Sequence, residues 1–231
     1  MILVNRETLS QQFLLILGLI LFLGGMMSFA QVRGSLHEAV IKKDAKQLEM
    51  LIQQVQDNGE NIDARDFQAR TALMIATQQN TPALAKLLID AGADVNAKNN
   101  IQDTPYLLAG AQGYNEILKM TLNHGANIQD TNRYGGTAII PAAEKGHLET
   151  VKILLDAGLD PNHVNGLGWT ALMEAVLLGN GSQLYVDIVA TLMKGGADPN
   201  IPDREGNTPL SYAKKRNNSA LIQLLTENGG R

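Results

Sequence analysis

The side chains best suited to ligate a metal or haem, or to move a proton, are four histidines: His37, His124, His147 and His163. His124 and His163 have no carboxylate or thiolate partner at ligand spacing, and the carboxylates are spread singly. The sequence has no cysteine, which removes thiol catalysis, Cys-based zinc sites, disulfides and a lipid tether through an N-terminal Cys. There is no HExxH, no GxSxG turn and no P-loop; Gly166-Leu167-Gly168 precedes Trp169 in a turn and is no dinucleotide loop. The expectation is a protein that is not an enzyme, with no catalytic residues, no metal and no cofactor. One alternative stays open, a carrier of haem or another small apolar ligand with Tyr134, His124 or His163 as ligands.

The elements that must position these residues repeat. In the stretch from Gly135 to Asn162, Thr137 stands before an apolar run, where its hydroxyl can accept from the free N–H groups of a first helix. Gly146 can end that helix, Val151, Leu154 and Leu155 line one face of a second, and Gly158 ends that one in turn. The Asp-Pro-Asn that follows turns the chain out and back as a finger. Steps of 33 residues from Thr137 reach Thr104 and Thr71 in one direction and Thr170 in the other. Thr208 follows Thr170 by 38 residues, and a degraded copy at Gly34 precedes Thr71 by 37, so insertions lie in both intervals.

A turn and two short helices in a fixed period of this length resemble the ankyrin repeat, over residues 33 to 231. The resemblance implies an all-α solenoid of about six helix-turn-helix units: 33–65, 66–98, 99–131, 132–164, 165–202 and 203–231. The first, with Lys42, Lys43, Lys46 and Gln47, reads as a cap, and the last is expected to fray at Gly229 and Gly230. The turn glycine seen as Gly135, Gly168 and Gly206 is replaced by Ala69 and Gln102, where strain or a different turn is expected. Pro141, at the fourth helical position, should perturb its helix. The family's inner-helix His survives as His37 and becomes Met74, Leu107, Ile140, Met173 and Ser211, which moves the inner helices toward apolar side chains. His147 opens a second helix after Gly146, where the family's imidazole satisfies neighbouring backbone. Residues Asn180 to Leu184 are an insertion that extends the loop opposite the fingers, either tolerated or a partner contact.

In ankyrin proteins the recognition surface is formed by fingers and inner-helix ends. The matching positions place Ile101, Tyr134 and Leu167 in a row, 33 residues apart, flanked by Phe67 and Trp169. Beside them lie Gln78, Gln79, Gln112, Glu144, Lys145, Leu177 and Leu178, with Arg70, Asp103, Arg133 and Arg204 to orient a partner. Such a row marks a protein-binding surface, unless the fingers fold these side chains against each other.

Net charge is −4 with scattered Lys and Arg, so no basic patch points to nucleic acid. Arg6, the uncharged run Phe13 to Leu23 and the small residues Ser28 and Ala30 read as a signal peptide over residues 1–30, with cleavage expected after Ala30. The rival is an uncleaved anchor, since uncharged sequence extends from Leu9 to Val32. With cleavage the repeats would be periplasmic or secreted, with no membrane attachment, and are expected to act as a monomer. The segments TAIIPAAEKGH and TALMEAVLLGNG resemble a group of secreted bacterial ankyrin proteins. Some of these are associated with periplasmic catalase or haem handling and others with neutralising toxins.

Overall fold

A computed structural model describes residues 36–231; the signal peptide expectation falls on residues outside this range. After helix α1 (residues 36–41) come α2 (Ala45–Asp57), α3 (Ala72–Gln78), α4 (Pro82–Asp90), α5 (Pro105–Gln112) and α6 (Asn115–Asn123). Then follow α7 (Ile139–Glu144), α8 (Leu148–Asp156), α9 (Ala171–Leu178), α10 (Gln183–Lys194), α11 (Pro209–Lys215) and α12 (Ser219–Glu227). No strand occurs among the described residues. The odd-numbered helices from α3 to α11 stack as an inner row, the even-numbered ones from α2 to α12 as an outer row, and each inner helix packs on its outer partner.

Threonine starts the inner helices because its hydroxyl satisfies one of the backbone N–H groups a helix leaves free. Thr71 accepts from the Met74 N–H at 3.1 Å, Thr104 from Leu107 at 3.1 Å, Thr170 from Met173 at 3.2 Å and Thr208 from Ser211 at 3.3 Å. Thr137 departs from the expectation. Its hydroxyl is buried without a partner, Ala138 stands at the N-cap, and the Ile140 N–H bonds the Thr137 carbonyl instead. Pro141 is the cause: it has no N–H to give that carbonyl, so the first turn tightens and α7 keeps only 6 residues.

The inner face is apolar where the family pattern has histidine: Met74, Leu107, Ile140 and Met173 are all buried, and His37 alone points a ring nitrogen at the Arg70 carbonyl, 2.9 Å away. From the outer row Leu88, Leu118, Leu154 and Leu192 are fully buried, while Leu122, Leu155 and Met193 pack at its margin. Burying each such side chain contributes about 1.5 to 3 kcal/mol. Gly110 lets α5 approach α7, since a Cβ there would lie 2.8 Å from that of Ala138.

The insertion is not wholly loop. Gln183 and Leu184 form the first turn of α10, which has 12 residues against 9 in α4, α6 and α8. The connection left over is tied to the last pair, with Arg216 donating to the Gly179 carbonyl at 2.9 Å and Asn218 to that of Gly181 at 3.4 Å. The chain also does not fray at Gly229 and Gly230: the Gly230 N–H bonds Leu225, and Asn200 holds the Gly229 carbonyl and the Arg231 N–H. That clamp is one rung of a ladder. Asn96 holds Gly125 and Asn127 in the same way, and Asn162 holds Gly196 and Asp198. At the equivalent step between the third and fourth pairs stands Gln129, which makes no such bond, and there Thr150 on α8 donates to Asn115 on α6 at 2.7 Å.

Candidate functional site

Each finger is built on one residue. The side chains of Asp66, Asn99, Asn132, Asn165 and Asp203 accept from the backbone N–H groups two and four positions on, at 2.8 to 3.1 Å. Sequence reading treated these only as unit beginnings, although Asp or Asn recurring at that register is the signal for such a turn. Where glycine is missing the turn is the same, not rebuilt: Ala69 and Gln102 adopt φ of 56° and 65°, beside 71° at Gly135. Those two residues bear the strain expected of a side chain in the left-handed region.

The fingers hold the row outward. Phe67 is 86% exposed, Ile101 48%, Tyr134 57% and Leu167 53%, so these side chains do not fold away against each other. Between α5, α7, α9 and the fingers at 132–136 and 165–169 runs a groove of about 350 Å³. It brings together Gln112, Tyr134, Glu144, Lys145, Leu167, Trp169 and Leu178. Phe67, Ile101, Gln78, Gln79 and Leu177 lie outside it. Gln78 accepts from Arg70, and Gln79 turns its amide toward the Ile41 carbonyl rather than outward. The charges expected to orient a partner are engaged within the protein. Arg70 pairs with Asp66 at 2.7 Å, Arg133 lies 3.8 Å from Asp103 and 4.6 Å over the Tyr134 ring, and Arg204 donates to the Gly166 carbonyl.

Glu174, which sequence reading passed over, lines the groove and is only 4% exposed. Its Oε1 accepts from Asn165 at 3.2 Å, and its Oε2 is buried with no hydrogen-bond partner. Burial first, and then the nearby charge of Glu144, push its pKa up to about 7. At the other end of the groove burial also raises Asp103, against the opposing pull of Arg133 and Lys145.

The histidines do not assemble a ligand set. His124 directs Nδ1 to the Met120 carbonyl at 2.8 Å and His163 directs Nε2 to that of Gly135 at 2.7 Å; neither lines the groove with Tyr134. His147 does not bond neighbouring backbone as expected. Its ring lies against Gly113, and burial followed by the charge of Lys145 lowers its pKa. Among the described residues no three His, Cys, Asp or Glu side chains gather where they could hold a metal ion, and no helix is long and apolar enough to cross a membrane.

Stacked helix pairs with outward fingers and a groove along the inner row define a repeat scaffold of the solenoid class. The family profile "Ankyrin repeats (3 copies)" matches residues 36–132 and again 107–203. The chain belongs to the ankyrin repeat family. It is similar to the crystal structure of an ankyrin repeat domain from Acinetobacter baumannii AYE, at 55% identity and TM-score 0.80, over 85% of this chain and 98% of that one. A crystal structure of another ankyrin repeat protein is 45% identical with TM-score 0.80, over 84% of this chain and 98% of that one. The ankyrin repeat domain of Bcl-3, a member of the IkappaB protein family, is 27% identical with TM-score 0.77, over 85% and 86%. Among curated sequences, the ankyrin repeat protein YahD of Escherichia coli strain K12 is 38% identical over 56 residues. That match takes in 24% of this chain and spans 28% of the relative's length. Ankyrin repeats generally mediate protein–protein interaction and generally are not enzymes.

Proposed function

We propose that the protein is a non-enzymatic scaffold that binds one partner protein through the face formed by its inner helices and fingers, with the groove at its centre. The observation that carries this reading is the exposed row of Ile101, Tyr134 and Leu167 beside a groove walled by Trp169 and Leu178. Tyr and Trp at the edge of a concave apolar site are the residues that most often dominate protein interfaces. On the sequence of residues 1–30 alone, we place the repeats outside the cytoplasm, where the partner would be a periplasmic enzyme such as a catalase, or a toxin held inactive. The test is a photo-crosslinking residue at Leu178 in the groove, or at Lys119 on the exposed side of α6, in the organism's own extract. A single protein crosslinked from position 178 and not from 119 is the expected result. Equal capture from both positions refutes the groove as the binding face. Intact mass of the exported chain is expected to begin at Gln31; a retained segment 1–30 refutes cleavage.

A further inference from the structure

We propose that the groove is a receptacle for a cationic side chain, a lysine or arginine presented by the partner, whose charged head is taken by Glu174 and Glu144. The proposal rests on reading the groove as the partner-binding face. Its ground is an unfinished polar site. Glu174 Oε2 is buried and has no hydrogen-bond partner, whereas its neighbour Asn165 is engaged at both ends of its amide, accepting from Leu167 and Trp169 and donating to Glu174 Oε1. A buried acceptor left without a donor is costly, and where it lines an open groove, as Glu174 does, a group from outside can complete the network.

The charge pattern selects a cation. Glu144 stands beside Glu174 close enough to act on its ionisation, and its carboxylate makes no ion pair. The groove's own basic groups serve its other end: Arg133 faces Asp103 and the Tyr134 ring, and Lys145 acts on Asp103 and His147. Glu144 and Glu174 therefore line the same groove with neither of them in an ion pair. Trp169 and Leu178 line the same groove, apolar surfaces suited to the methylene stem of a long basic side chain. A carboxyl set beneath the surface favours a reaching side chain over a compact donor.

The intact chain holds a single tryptophan, Trp169, so its fluorescence reports from the groove. Nα-acetyl-lysine amide would be titrated beside Nα-acetyl-norleucine amide, which keeps the stem and lacks the ammonium. The expected result is a saturable fluorescence change with the lysine probe alone, with affinity reduced about tenfold in Glu174→Gln and less in Glu144→Gln. Circular dichroism confirms that each variant is folded, and the Glu144→Gln variant, whose side chain is partly exposed, stands in if Glu174→Gln repacks. Equal response to the norleucine probe, or unchanged affinity in both variants, overturns the proposal. Should the lysine probe fail while crosslinking from position 178 still captures the partner, this inference falls and the binding face stands; failure of both removes both.

Discussion

Replacing Glu174 by Gln should stabilise the protein at alkaline pH and do little at acid pH. In the unfolded chain the carboxyl titrates at its ordinary value, 4.5, and in the native structure at about 7, raised chiefly by burial and secondly by Glu144, with the Asn165 hydrogen bond opposing both. A raised carboxyl means that the native state binds the proton more tightly than the unfolded state. Its contribution is therefore favourable below the unfolded value and is lost as pH rises through 4.5 toward the folded value of about 7. Each unit of separation corresponds to about 1.4 kcal/mol, so the loss between pH 4 and pH 8 is about 3 kcal/mol. Glutamine cannot ionise, can still accept from Asn165, and keeps the same volume. Urea unfolding of both proteins, followed by far-ultraviolet circular dichroism across this pH range, gives the difference at each pH while the remaining carboxylates cancel. The expected difference grows by about 3 kcal/mol in favour of Glu174→Gln toward pH 8. A difference that stays constant with pH refutes the argument that this carboxyl is held out of water beside a like charge.

Two further outcomes follow from the local geometry. Thr170→Ala removes a helix cap and should cost about 1 kcal/mol, whereas Thr137→Ala removes a hydroxyl that caps nothing and should be neutral or stabilising; chemical denaturation of the two side by side checks the contrast. Gln102→Gly and Ala69→Gly relieve side chains at positive φ and should each raise stability by about 1 kcal/mol, read as a shift in the urea midpoint without a change in slope.

What was legible in the sequence was what is local. The period of 33, the threonine caps and the turn glycines each act within a few residues, so their pattern announces the helix pairs and their order. The failed cap at Thr137 needed one more step, following the lost N–H of Pro141 back to the carbonyl it would have met. Glu174 was illegible because a lone glutamate in TALMEA reads as a solvated charge; its burial comes from α7 and the finger at 165–169, which only the stacked arrangement supplies. The same holds for Arg70, Arg133 and Arg204, whose partners are set by the folded fingers and look free along the chain. The chain end at Arg231 reads as loose until Asn200 is brought alongside it.

The missing rung at Gln129 makes the array uneven as a mechanical object. In a one-dimensional stack every unit is coupled to its neighbours alone, so the whole transmits cooperativity no better than its weakest joint. The step without the asparagine clamp lies between the helix pairs whose inner members, α5 and α7, form adjacent walls of the groove, and Thr150 on α8 bridges it to Asn115 on α6 instead. The groove therefore spans a joint that is fastened differently from its neighbours. A guest seated there would touch the helix pairs on both sides of that joint, so that its affinity and the coupling across the joint become linked.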